Sequence, residues 1–242
     1  MVPVFFGRSD RGCVRASNQD SFYMDEPGGR FFVVADGMGG HAGGEEASRL
    51  AAEAIRVYLQ EHWERESSTT LIRTAIEKAN AAILADQLTH PARRDSGTTV
   101  VVVGFFDDGV WYAHIGDSRL YRLREKSLTQ ISEDHTWIAR AVSAGAVAPE
   151  EVRVHPWRHM LLQCLGREDL KPVEPVRIEF LPGDRLLLCS DGLTEELTGD
   201  RIAYHLANPD LKLAVSNLVD AAKAKGGRDN ITVVAIAHPA DS

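Results

Sequence analysis

Cysteine is scarce in this chain of 242 residues: Cys13, Cys164 and Cys189 lie far apart and form no C-x-x-C pair. An odd count without regular spacing excludes a disulfide framework and fits a reducing compartment. Long apolar runs are missing too. The longest, "VVVVGFF" at 100–106, is too short to cross a bilayer, so no membrane segment is expected. The opening "MVPVFFGRSD" lacks a basic region and has only a five-residue apolar stretch, so it does not read as a secretory signal. A cytoplasmic location is the expectation. Basic clusters are absent as well. With 27 Lys and Arg against 35 Asp and Glu the net charge is −8, and the basic residues are dispersed. That pattern argues against nucleic acid or an anionic membrane as partner.

What remains is the composition of an ordinary globular protein, 44% hydrophobic and 26% charged. The length suits one domain spanning 1–242. The acidic surplus has two readings: solubility, or carboxylates gathered to hold cations.

Regular alternation of strand and helix is also lacking. Runs rich in Val, Ile, Phe and Tyr predict strands at 3–8, 21–25, 30–36, 98–106, 110–116, 119–124, 176–181, 185–191 and 230–237. An Asp-Gly in "FFDDGVWY" signals a hairpin, and "FLPGDRLLL" holds a turn. Apolar residues at helical spacing predict helices over 45–62, 69–86 and 210–225. Grouped strands and paired helices indicate α+β, with antiparallel sheets and helices packed outside them. Residues 136–170 read instead as short helical pieces with Gly and Pro, a flap insertion at about 137–170.

Acidic residues recur at strand ends. "VVADG" ends in Asp36 and Gly37, and "LLLCSDG" in Asp191 and Gly192. Asp229 precedes the strand of "GGRDNITVV", Asp20 precedes that of "RASNQDSF", and Asp117 follows that of "YAHIGDSR". Each alone is an ordinary turn or cap residue. Brought together they would repel, by roughly 4 kcal/mol per pair at about 4 Å and an effective dielectric near 20. A cation with hard oxygen ligands, Mg²⁺ or Mn²⁺, removes that cost. Zinc would call for Cys or His at ligand spacing, which is missing.

The glycine-rich stretch "GMGGHAGG" after Asp36 admits three readings. "GMGGHA" matches a dinucleotide fingerprint, but Asp36 abuts the first glycine, where a pyrophosphate would sit. A P-loop would need Lys and Ser or Thr after Gly44. In the third reading the loop serves metal: Asp36 bridges cations, the Gly37 carbonyl adds a ligand, and the glycines leave room for substrate.

Taken in order, "VRASNQD" (14–20), "VVADGMGGHAGGEEAS" (33–48), "SGTT" (96–99), "AHIGDSRLYRL" (113–123), "SEDHT" (132–136), "CSDGLTEEL" (189–197) and "GGRDNITVV" (226–234) resemble the motifs of the metal-dependent serine/threonine phosphatases of the protein phosphatase 2C (PPM) type, in their compact bacterial form. The resemblance covers nearly the whole chain. It implies a four-layer α-β-β-α sandwich of two antiparallel sheets, with a dinuclear Mn²⁺ or Mg²⁺ centre at one end. By position, Asp36 would bridge both ions and Gly37 would give its carbonyl. Asp191 and Asp229 would hold the second ion, and Asp20 would act through water. Asp117 would join Asp191 at a third, weaker ion. Arg15 would clamp the phosphate and His41 would protonate the leaving alcohol. Gln19 stands where many members carry Glu, so the first ion loses a neighbouring charge.

The resemblance further implies hydrolysis of phosphoserine and phosphothreonine in proteins by a metal-bridging hydroxide, opposing a cognate serine/threonine kinase of eukaryotic-like type. A monomer is expected. Trp137, Arg140, Trp157 and Arg158 of the flap are candidates to contact substrate, and Asp134 and His135 read as structural. A thiolate mechanism is excluded, because Gln19, Leu170 and Glu195 stand six positions after the cysteines, where an arginine is required. A phosphoprotein-binding module without turnover and a dinucleotide enzyme are the competing classes.

Overall fold

Four strands of this chain are apolar at almost every position, which is the mark of a strand covered on both faces. In β3 (Phe31–Met38), Phe31 and Val33 pack one way and Phe32 and Val34 the other, and all four are fully buried. The computed structural model describes residues 3–40 and 43–238. Its remaining strands are β1 (Val4–Asp10), β2 (Asp20–Met24), β4 (Gly97–Thr98), β5 (Val100–Phe106), β6 (Gly109–Ile115), β7 (Arg119–Arg124), β8 (Ser127–Gln130), β9 (Val176–Ile178), β10 (Arg185–Cys189) and β11 (Ile231–Ala237). The helices are α1 (Gly43–His62), α2 (Ser68–Thr89), α3 (Trp137–Ser143), α4 (Asp191–Glu196), α5 (Gly199–Leu206) and α6 (Leu211–Lys225).

Two antiparallel sheets result. One runs β1-β11-β10-β7-β8, and the other runs β2-β3-β5-β6-β9 with β4 paired to β3. Between them lies a layer of Phe32, Val34, Val101, Val103, Leu120, Leu186, Leu188, Val234 and Ile236. The outward residues of the second sheet meet α1 and α2, where Phe31, Val100 and Val102 pack with Ile55, Leu59, Ile72 and Ile76. Those of the first sheet meet α4, α5 and α6, where Leu187, Cys189, Val233 and Ala235 pack with Leu193, Ile202, Val215 and Leu218. The order of layers is therefore helix, sheet, sheet, helix, the α+β sandwich expected. Among the described residues no helix is long and apolar enough to cross a membrane.

Local signals agree with the elements. Asp210 caps α6 by accepting from the Leu213 N–H at 3.1 Å, and Gly226 at φ 146° ends it. Asp108-Gly109 turns β5 into β6 as a hairpin. The Pro-Gly-Asp turn at 182–184 does not make a hairpin, because β9 and β10 belong to different sheets. The predicted strand at 176–181 shrinks to Val176–Ile178. Between Thr136 and Val176, α3 and a 3₁₀ turn at Pro149–Val154 are the helical pieces, tied back by single bridges from Thr136 to Leu161 and from Thr98 to Leu165.

Candidate metal centre

Antiparallel register sets Asp20 opposite Asp36 across β2 and β3, so their side chains share a face. Asp36 has the parity of Phe32 and Val34 and so faces the other sheet. Asp117 lies in the turn where the chain crosses from β6 in one sheet to β7 in the other. Asp191 follows the end of β10 as the first residue of α4, and Asp229 comes two residues before β11. The five carboxylates thus gather at one end of the seam between the sheets; among the described residues, the group whose ligand atoms all lie within 4.8 Å of one another is His159, Asp191 and Glu195. Asp36 stands within β3 rather than at its tip, and Asp191 in the first turn of a helix rather than in a loop. A helix N-terminus favours an acidic side chain there.

The buried acids at this end act on one another. Burial raises the Asp36 carboxyl well above its usual range, and Asp20, Asp191, Asp117 and Asp229 add repulsion. Asp191 is raised likewise by burial, then by Asp117, Glu195, Asp229 and Asp20. Asp20 is pushed up to about 6 by burial, although hydrogen bonds from Thr232, Ser190 and Asp36 ease it. Asp117 also reaches about 6, from burial and the nearby Asp134, with Arg119 opposing.

Neighbours hold each acid in place. The fully buried Ser190 donates to Asp20 Oδ2 at 2.8 Å, a bond from one sheet to the other, and accepts from the Thr232 N–H at 3.0 Å within its own sheet. Thr99 Oγ1 accepts the Asp36 N–H at 3.0 Å, and Thr98 Oγ1 donates to the Asp36 carbonyl at 2.8 Å. Thr99 and Ser118 hydroxyls lie 2.7 Å apart, joining Asp36 to the Asp117 turn. That turn is closed by His135, whose N–H donates to the Gly116 carbonyl at 2.9 Å while its Nδ1 accepts the Gly116 N–H at 3.3 Å. Burial and the stacked His114 ring, 4.5 Å away, depress His135 to about 4, which keeps Nδ1 an acceptor. Asp134 is taken up by Arg119 at 2.6 Å.

The glycines act by close packing. A Cβ on Gly37 would strike the Gly44 carbonyl, and one on Gly192 the Asn230 carbonyl. At Gly37 and Gly44 the backbones of β3 and α1 fill the space, whereas a Cβ on Gly40 would meet only open space. The dinucleotide reading loses its cradle for the same reason, and α1 leads on to α2 and an antiparallel sheet.

Arg15 joins the cluster through a 2.6 Å hydrogen bond to Asp229 Oδ2, which raises its pKa. His41 lies outside the described residues. His159 and Glu195 were missed by sequence reasoning: His159 Nδ1 stands 3.1 Å from Glu195 and 4.0 Å from Asp191. No spacing signal in the sequence links them. A cavity of about 780 Å³ runs from Asp117 and Asp191 between α3 and α4, with Ile138, Val142, Arg158 and Glu195 in its wall. Trp137 instead packs against His155 and, edge to face at 4.8 Å, against Trp157. Arg140 faces a separate hollow beside Lys171.

The donor set fits divalent cations. Oδ1 of Asp20 and Oδ1 of Asp191 are buried without a hydrogen-bond partner, in a group rich in carboxylate oxygens to which His159 adds one ring nitrogen.

Comparison with known proteins identifies the family. The family model described as protein phosphatase 2C matches residues 14–216. The serine/threonine protein phosphatase PstP of Mycobacterium tuberculosis is 38% identical over 234 residues, which cover 97% of this chain and 45% of PstP. The chain therefore spans about half the length of that relative. A crystal structure of the M. tuberculosis phosphatase PstP/Ppp superposes with a TM-score of 0.92 at 36% identity, covering 99% of this chain and 100% of that one. The PstP catalytic domain in complex with two manganese ions gives a TM-score of 0.86 at 35% identity, covering 98% of each chain.

Proposed function

Since the chain belongs to the protein phosphatase 2C family, we propose that it is a Mn²⁺- or Mg²⁺-dependent phosphatase acting on phosphoserine and phosphothreonine of proteins. The observation that carries the reading is the meeting of Asp20, Asp36, Asp117, Asp191 and Asp229 from both sheets, with buried carboxylate oxygens left unpaired.

In this reading Asp36, the Gly37 carbonyl, Asp191 and Asp229 would hold two ions, and Asp20 would support them through water. Asp117 and Asp191 supply a third, weaker site, beside which His159 and Glu195 stand. Bound as a pair, such ions lower the pKa of a water they share and draw charge from phosphoryl oxygens. The remaining work falls to the chain. The Arg15 guanidinium, in reach of the cluster at Asp229, pairs with the phosphoryl oxygens in the fork geometry suited to them. Ser190 holds the Asp20 carboxylate and the two threonines hold the Asp36 backbone, which limits reorganisation on binding. His41 protonates the leaving alkoxide. The segment 137–170 forms a flap beside the cavity and selects among protein substrates. The domain works as a monomer in the cytoplasm and opposes a serine/threonine kinase.

The test is hydrolysis of an aryl phosphate with and without Mn²⁺. Turnover should require the ion, and Asp36→Asn and Asp191→Asn should each abolish it. Activity that survives exhaustive chelation would overturn the proposal.

A further inference from the structure

Arg15 lies in a loop, residues 11–19, that has no regular structure and is exposed from Cys13 to Ser17. A long, charged side chain on such a loop would be a poor clamp unless something fixed the loop. One buried side chain does so. Asn230, 4% exposed, donates from Nδ2 to the carbonyls of Arg11 and Ser17, both at 2.9 Å, and its Oδ1 accepts the Gln19 N–H at 2.8 Å. Both donors and the acceptor are thus engaged on the loop, at points that bracket Arg15. The carboxamide has a single workable orientation, because reversing it would set oxygen against two carbonyls and an NH₂ against an N–H.

The same short segment holds Arg15's partner. The Asn230 N–H donates to Asp229 Oδ1 at 2.8 Å, while Asp229 Oδ2 accepts from Arg15 at 2.6 Å. A second tie, from the Cys13 N–H to the Gly227 carbonyl at 2.7 Å, lies on the same side. We infer that Asn230 is a positioning residue for phosphate binding. It locks the Arg15 loop to the segment just before β11 that carries Asp229, so that guanidinium and metal centre present a single, preformed anion site. The inference rests on the reading of Arg15 as the group that binds phosphate.

The experiment measures the inhibition constant of inorganic phosphate, and KM and kcat for an aryl phosphate, at saturating Mn²⁺. It compares wild type, Arg15→Ala, Asn230→Ala and the double variant. Losing the charged contact in Arg15→Ala, or its positioning when the three neutral bonds of the Asn230 carboxamide are removed, should raise the inhibition constant and KM about tenfold in either single variant. The double variant should be no worse than about twice Arg15→Ala, because Asn230 acts through Arg15. The Mn²⁺ dissociation constant, read by calorimetry, should stay within about twofold of wild type. Should Asn230→Ala fail to fold, Asn230→Asp takes its place: it keeps the size and the acceptor for Gln19 and removes both donors. Wild-type phosphate inhibition in the Asn230 variants, or losses that multiply in the double variant, would overturn the inference while leaving Arg15's role intact. Wild-type inhibition in Arg15→Ala would overturn both.

Discussion

Replacing Asp20 by Asn should stabilise the chelated protein, and the size of the gain follows from burial. The Asp20 carboxyl is pushed from 3.8 up to about 6, so ionising it in the fold costs about 3 kcal/mol more than in the unfolded chain, at 1.36 kcal/mol per pH unit. Below pH 3.8 the group is protonated in both states and the cost is absent; it builds as pH rises and is complete above about 6. His135 runs the other way. Depressed from 6.5 to about 4, it adds stability over much of the same window as pH rises. The informative quantity is therefore the difference between wild type and Asp20→Asn, in which His135 cancels. The asparagine can still accept from Ser190. In chelator, the variant should gain on wild type by about 3 kcal/mol between about pH 4 and pH 7. For a chain of this size that is roughly 6–12 °C in Tm by scanning calorimetry. Excess Mn²⁺ should erase the lead, since an ion at 100 times its Kd adds about 2.7 kcal/mol to the protein that binds it. A difference that stays flat with pH in chelator would refute the claim that these acids are crowded and desolvated.

Other outcomes are equally direct. Phe32→Ala, at a fully buried position between the sheets, should cost about 3–5 kcal/mol in urea unfolding. Gly37→Ala places a Cβ against the Gly44 carbonyl and should shift β3 from α1, abolishing phosphatase activity in whatever protein still folds. His41→Ala should slow alkyl phosphate hydrolysis far more than aryl, because a good leaving group needs little proton assistance; equal loss on both would remove the acid role.

The parts of the fold legible in the sequence were those whose signal is local. β3, β5, β10 and β11 are buried on both faces and read as unbroken apolar runs. β8 escaped because Ser127–Gln130 is a short, mostly exposed edge strand that gains its identity from pairing with β7. α4 escaped because Asp191-Gly192 was read as a turn; Ser190 before an acidic first turn was the available sign of a helix start. The carboxylates were legible through their repetition at strand ends. Ser190 and Asn230 were not, since their partners lie 170 and 211 residues away and only the register of the sheets brings them together.

The position of β11 has a consequence for synthesis. It is made after the other strands of the two sheets, yet it sits between β1 and β10, pairing with both. A chain still emerging from the ribosome holds Asp20, Asp36 and Asp117 but has no strand to bring β1 alongside β10. Until residues 231–237 are released, β1 and β10 have no common partner and the first sheet stays split.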